Sequence, residues 1–250
     1  MGSDRMEFHE IKMREASLKK AQRQQKAQIK KESKKRKPSP IDPTTQLAID
    51  FDKEVSGYVE KRKVENTVSN AIGWVGGKWK IGRVLVTMMP EHDSYFEVFF
   101  GGGSVFFRKP KTKYNAINDY NSNLINMYTQ IRDNRNEFLK YINHFLYSRD
   151  IFDYCRTKYD SENWKDLGEV QRAVIFYYMI RVSFNNQMTH FSKDQMYSTF
   201  DEYHKIIKIS EKLQGVLIEN QDFRVFIEKR LEDKSGNSKG LKKFFYLDPP

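Results

Sequence analysis

Within about 25 residues the chain sets a strand, a glycine turn, a second strand and an acid, and this run constrains the fold more than any other feature. Tyr95-Phe96-Glu97-Val98-Phe99 is short, apolar and aromatic, as a buried strand is. It enters Phe100-Gly101-Gly102-Gly103-Ser104, after which a short helix is expected. Tyr114-Asn115-Ala116-Ile117-Asn118 reads as a second strand and closes on Asp119. The pattern is that of a βαβ unit, and so of an α/β domain built on a parallel sheet.

The remainder fits that reading. Residues 81–89 read as a helix ending before Pro90. Residues 121–214 are mostly helical in pattern, and 170–184 are apolar enough for a buried helix. That stretch is too long for one crossover, so an inserted helical subdomain is expected. Val216-Leu217-Ile218-Glu219-Asn220 returns to strand and closes on Asp222. After a loop at 233–242, Phe244-Phe245-Tyr246-Leu247 is a last strand that delivers Asp248-Pro249-Pro250. The expected organisation is an N-terminal arm and linker (1–65), a ligand-binding part (66–120), the helical insertion (121–214) and a return to the sheet (215–250).

Charge separates the arm from the body. The net charge is +11, but residues 1–37 alone hold 13 Lys/Arg against 5 Asp/Glu. A polyanionic partner is favoured, and the arm is a candidate to contact phosphates, a protein partner or a targeting receptor. Pro38, Pro40 and Pro43 mark a linker after it. The single cysteine, Cys155, has no partner for an intrachain disulfide and no companion metal ligand, which fits a reducing compartment. No apolar run reaches the roughly 18–20 residues that span a bilayer, so no membrane partner is expected.

Four positions carry chemistry on physical grounds. Glycines at 101–103 let a ligand approach the strand end, and a following helix would offer free N–H groups. Asp119, at the end of the second strand, can accept from ribose hydroxyls, and Asp222, after the third, from an adenine amino group. An apolar strand ending in Asp248-Pro249-Pro250 sets a carboxylate beside carbonyls whose neighbours lack N–H donors. Such a pair of acceptors suits an exocyclic amine.

Four stretches, in this order and spacing, resemble one family. They are Trp74-Val75-Gly76-Gly77-Lys78, the run 96–106 from Phe96-Glu97-Val98-Phe99 through the three glycines to Ser104-Val105-Phe106, Asn118-Asp119-Tyr120-Asn121-Ser122-Asn123-Leu124-Ile125-Asn126, and Leu247-Asp248-Pro249-Pro250. They look like the W-x-G-G-K, E-P-F-x-G-G-G-S-V-F, D-x-N-x-x-L-I-N and D-P-P-Y motifs of the Dam-like (D12, alpha group) S-adenosylmethionine-dependent DNA N6-adenine methyltransferases. The resemblance covers residues 72–250.

It implies a Rossmann-like, doubly wound methyltransferase sheet with the helical target-recognition segment inserted, and with the family's later strands missing. It implies S-adenosyl-L-methionine as cofactor, double-stranded DNA as partner and no metal. Trp74, Gly77 and Lys78 would border the methionine end. Phe99, Gly101 and Gly103 would shape the pocket, Asp119 would hold the ribose, and Asp222 with Phe223 the adenine. Asp248, Pro249 and Pro250 would receive the amino group of a flipped target adenine.

Arg181-Val182-Ser183-Phe184-Asn185-Asn186 resembles the family's N-R-x-x-F-N-G stretch, with Asn186 where glycine is usual. Arg181, Asn185 and Lys193 are therefore expected at the DNA, with Arg149, Arg156 and Lys158 as further phosphate candidates. Val98 replaces the family's proline, and the aromatic residue expected after Pro250 is not in the sequence, which suggests a piece of a longer protein. The alternatives are an inactive homologue that binds DNA or a partner, and a methyltransferase acting on RNA or on cytosine N4; Asp at 248, where Ser would favour cytosine, points to adenine. The expected location is the cytoplasm with the nucleoid, or the nucleus if the basic cluster acts as a signal.

Overall fold

Four short strands, all parallel, form one sheet in the order β3-β2-β1-β4. They are β1 (Ser94–Glu97), β2 (Tyr114–Asn118), β3 (Leu217–Glu219) and β4 (Lys243–Tyr246). The structure is a computed structural model that describes residues 71–193, 197, 199–232 and 240–250. The expectations for residues 1–65, and for most of the 233–242 loop, lie outside these.

The helices are α1 (Gly82–Met88), α2 (Ser122–Asp133), α3 (Arg135–Ile142), α4 (Arg149–Tyr159), α5 (Glu169–Val182), α6 (Thr199–Leu213) and α7 (Phe223–Leu231). Five of them, α2 to α6, lie between β2 and β3, as the length of that connection requires. Asn121 starts α2 by accepting from the amides of Asn123 and Leu124. Asp222 starts α7 by accepting from Arg224. The α5 helix is buried on almost every side, from Ala173 through Ile180, so its apolar residues follow no stripe.

Alternation along the strands sorts the sheet into two faces. The register pairs Tyr95 with Phe244, Phe96 with Phe245 and Glu97 with Tyr246. On one face Phe96 stacks on Phe245 at 4.7 Å, and both pack with Ala116 and with Phe226 of α7. On the other, Tyr95, Ile117, Phe244 and Tyr246 join one apolar cluster with α2, α3, α5 and α6. Helices thus cover both faces, as the doubly wound reading predicts.

One expected element is shorter than predicted. The helix after the glycine turn is a single turn, closed by Phe107 N to Gly103 O (2.9 Å) and Lys109 N to Val105 O (3.2 Å). Pro110 ends it, because a residue before proline is pushed out of the helical region. β1 also stops at Glu97, not Phe99: after a last ladder bond from Val98 N to Tyr246 O, Phe100 N turns to Asn118 O.

The strand order reverses between β1 and β4. In an open parallel sheet the crevice at such a reversal, beyond the carboxyl ends, is where ligands bind. Here the glycine turn follows β1 and Asp248 follows β4, so both motifs open onto that crevice.

Candidate active site

A cleft of about 530 Å³ lies at this reversal. Trp74, Gly77, Lys78, Phe99, Gly101, Gly103, Asp119, Asp248, Pro249 and Pro250 all line it. Sequence reasoning placed these ten residues together from four separate stretches of chain. The volume falls within the range of nucleotide-sized ligand pockets.

The glycines serve the protein behind the cleft as well as the cleft. Gly101 and Gly103 hold φ at +49° and +66°, where side chains are strained. A Cβ on Gly101 would lie 2.8 Å from Trp74 Cδ1, and one on Gly103 only 2.5 Å from Phe107 Cε2. The turn is therefore a tight layer under the Trp74 segment, and it turns bare backbone to the cleft. The free N–H groups expected from a short following helix are supplied by a single helical turn.

Asp119 locks the turn. It accepts from Gly101 N at 2.8 Å and from Asn121 N at 2.9 Å, one bond to each oxygen. A carboxylate has about four lone-pair sites, so acceptor capacity remains on the cleft side. The tips of β1 and β2 are joined through it.

Trp74 packs against Phe176 of α5, with ring centroids 6.3 Å apart, and its carbonyl accepts from Gly77 N at 2.9 Å. This turn projects Lys78. Its ammonium meets Asp248 Oδ2 at 2.7 Å and Gly76 O at 2.9 Å. The cation expected near a cofactor carboxylate and the acid expected at the target amine are thus paired directly. Tyr246 also hydrogen-bonds Asp248, and burial raises its hydroxyl well above the usual range, with the negative charge of Asp248 adding to the effect.

Glu97 was not anticipated, yet it lines the same cleft and is 2% exposed. It accepts from the Tyr95 hydroxyl at 2.7 Å. Burial pushes its carboxyl up to about 8, against the lowering effects of the Tyr95 bond, the charge of Lys109 and the Phe106 amide. The signal in the sequence was an acid inside an otherwise apolar buried strand. Lys109 is buried too, lies over the Tyr95 ring at 4.3 Å, and burial brings its ammonium down to about 7.

Other expected residues sit elsewhere. Asp222 and Phe223 are not among the lining residues. Asp222 caps α7 and pairs with Arg224 at 2.9 Å, which holds its carboxyl down at about 2. Phe223 touches the cleft only through Phe99, at 5.5 Å between rings.

The structure also corrects the expectation for Arg181. Its guanidinium turns inward and grips Glu202, with Nη2 to Oε1 at 2.5 Å, while Glu202 is 2% exposed. Asn185 and Lys193 are exposed, as is Phe184. Phe184 and Asn185 belong to a turn, closed by a bridge between Ser183 and Phe191, in which Asn185, Asn186 and Met188 all take positive φ, and Lys193 follows it. The Asn186 amide occupies the space that a Cβ on Gly73 would need, at 2.2 Å from Nδ2. The exposed residues Arg149 and Arg156 brace this turn, Arg149 over the Phe191 ring at 5.2 Å and Arg156 on Thr189 O. Among the described residues no three His, Cys, Asp or Glu side chains gather as a metal site, and no helix is long and apolar enough to cross a membrane.

The model of the D12 class N6 adenine-specific DNA methyltransferases matches residues 74–250. The chain is 33% identical over 190 residues to the Type II methyltransferase M1.LlaDCHI of Lactococcus lactis subsp. cremoris, covering 71% of this chain and 63% of that protein. It is 25% identical over 184 residues to the DNA adenine methylase of Serratia marcescens, covering 71% and 64%. The matches thus span less than two thirds of the length of either relative. With a family match over most of the chain, and a cleft assembled from the same four motifs, the chain belongs to the D12 class N6 adenine-specific DNA methyltransferases.

Proposed function

We propose that this chain carries the donor-binding and target-amine sites of a DNA adenine N6-methyltransferase. The observation that carries the reading is the convergence of Asp248, Lys78, the glycine turn and Asp119 on one cleft at the strand-order reversal. The relatives are named as DNA adenine methylases and Type II methyltransferases, in keeping with this reading.

S-adenosyl-L-methionine is the methyl donor that fits. The bare backbone of residues 101–103 and the spare acceptor capacity of Asp119 suit a nucleoside, and Lys78 suits a carboxylate. Trp74, Gly77 and Phe99 supply walls. Asp222 and Phe223 would reach an adenine ring only at the edge formed by Phe99 and Phe223. When bound, the donor supplies a methyl group on a positively charged sulfur. The residues of the chain do the rest. Asp248 and the carbonyl at Pro249 accept from the amino group of the target, which localises its lone pair toward the methyl group. The work is positioning and electrostatics, with no covalent enzyme intermediate.

The target base must leave the duplex to reach Asp248. The turn at 183–191 supports that task. Phe184 is an exposed aromatic next to the positive-φ residues Asn185 and Asn186, suited to stack against bases, and Asn185, Lys193, Arg149 and Arg156 offer donors and positive charge. We retain residues 121–214 as the target-recognition segment on this basis. The buried free thiol of Cys155 fits work in a reducing, DNA-containing compartment.

The test is methyl transfer to an adenine-containing duplex, with mass spectrometry of the product nucleoside. N6-methyladenine is expected, and N4-methylcytosine would overturn the assignment. Asp248→Ala should lower transfer about a thousandfold while far-ultraviolet circular dichroism stays unchanged. Near-normal turnover in that variant would refute the role of Asp248.

A further inference from the structure

Glu97 is a buried acid on the cleft that none of the roles above uses. Its surroundings are specific. Tyr95 donates to it from its own strand. Tyr246 stands opposite it in register on β4, on the same face of the sheet, and Tyr246 in turn bonds Asp248. Lys109 approaches from the segment after the glycine turn and Tyr128 from α2. Glu97 makes none of the ion pairs found among the described residues. Asp248, Tyr246 and Glu97 therefore run as a polar row from the cleft mouth into the sheet, with Tyr95 and Lys109 behind it.

A buried carboxyl whose nearest cation, here Lys109, makes no ion pair with it is stable as the neutral acid, because burial outweighs the distant charge. Bringing a cation into the same cleft reverses that preference. Methyl transfer then removes the cation: the new N6–carbon bond forms, the sulfur–carbon bond breaks with its electron pair staying on sulfur, and the amine must lose one proton.

We propose that Glu97 is the proton store of this site, ionised while the cationic methyl donor is bound and reprotonated, through Asp248 and Tyr246, by the proton that the target amine loses. The charges balance. Before transfer the donor carries one positive charge and Glu97 one negative. Afterwards the thioether, the methylated amine and Glu97 are all neutral, and Asp248 is again a carboxylate. The raised proton affinity of Glu97 in the present structure is in keeping with its resting state. The proposal rests on the methyltransferase reading and adds to it a way of telling donor from product: an ionised Glu97 favours the sulfonium over the neutral thioether.

The test is calorimetry on the full chain, titrated with S-adenosylmethionine and separately with S-adenosylhomocysteine, in buffers of different ionisation enthalpy. At pH 7, binding of the donor should release about one proton, and binding of the product close to none. In Glu97→Gln the release on donor binding should vanish. The preference for donor over product should fall about tenfold, the equivalent of one unit of proton affinity. Donor binding by the unmodified chain without proton release would overturn the proposal and leave the methyltransferase reading standing. An equal proton count in Glu97→Gln would also overturn it. No binding of either ligand would remove the reading and the proposal together. The count on the unmodified chain stands even if the variant fails to fold.

Discussion

Two buried glutamates, one under the cleft and one among the helices, share most of their environment and behave in opposite ways. Glu97 and Glu202 are each 2% exposed, and each accepts from a tyrosine hydroxyl, Tyr95 and Tyr177 respectively. Glu202 also has Arg181, which bonds it through Nε at 3.0 Å and Nη2 at 2.5 Å. Burial alone would raise the Glu202 carboxyl, but the bonds and charge of Arg181 hold it below its ordinary value. Glu97 has only the more distant charge of Lys109, and burial lifts it to about 8. A buried acid with its own arginine ties two helices together. A buried acid without one is left ready to change its charge state.

The largest effect should come from breaking the helical pair. Arg181→Met strands a buried charge on Glu202 and should cost about 3–5 kcal/mol in chemical denaturation. Near pH 4.5 Glu97→Gln, which replaces a neutral acid by a neutral amide, should stay within about 1 kcal/mol, and it should not lose stability as the pH rises. Equal losses in the two variants would erase the contrast.

Smaller and more diagnostic is the dependence on pH. The carboxyl of Glu97 rises in the folded chain from an ordinary 4.5 to about 8, so the folded state keeps a proton that the unfolded chain gives up. Stability from this group is full below pH 4.5 and is lost as pH rises toward 8. Glu202 is shifted downward, so its contribution is full above its unfolded value of 4.5 and is lost as pH falls through the lower, folded one. Denaturation midpoints measured from pH 4 to 9 should therefore show a decline above 4.5 that Glu97→Gln abolishes and that variants at Glu202 leave alone. The smallest effect belongs to Tyr95→Phe. It removes one donor to Glu97, should cost about 1 kcal/mol, and should raise the proton affinity of Glu97 further. A lowered affinity, followed by carboxyl resonance in nuclear magnetic resonance, would contradict the bond that joins them.

Much of the cleft was legible in the sequence because its parts are local. Glycines at a strand end, an acid closing a strand and Asp-Pro-Pro after an apolar run each state their geometry within a few residues. The core of α5 was legible for the same reason, since residues 170–184 are apolar enough for no face to be exposed. What was hidden depends on partners distant in the chain. Arg181 reads as a surface cation until α6 brings Glu202 against it, 21 residues on. Glu97 reads as one letter of a motif until the β1–β4 register sets Tyr246 beside it. Asp222 stands where an adenine acceptor was expected, but the start of α7 and Arg224 claim its oxygens first. The short helix expected after the glycine turn is cut to a single turn by Pro110, six residues after Ser104.

The bond from Gly101 N to Asp119 has a consequence for how this site tolerates change. Its donor is a main-chain amide, a group that every residue except proline possesses. Exchange of the side chain at 101 can strain the turn, yet it leaves the hydrogen that holds the Asp119 carboxylate in place. The orientation of that acid is thus written into the backbone path between β1 and β2, and short of proline it is lost only when the path itself is lost.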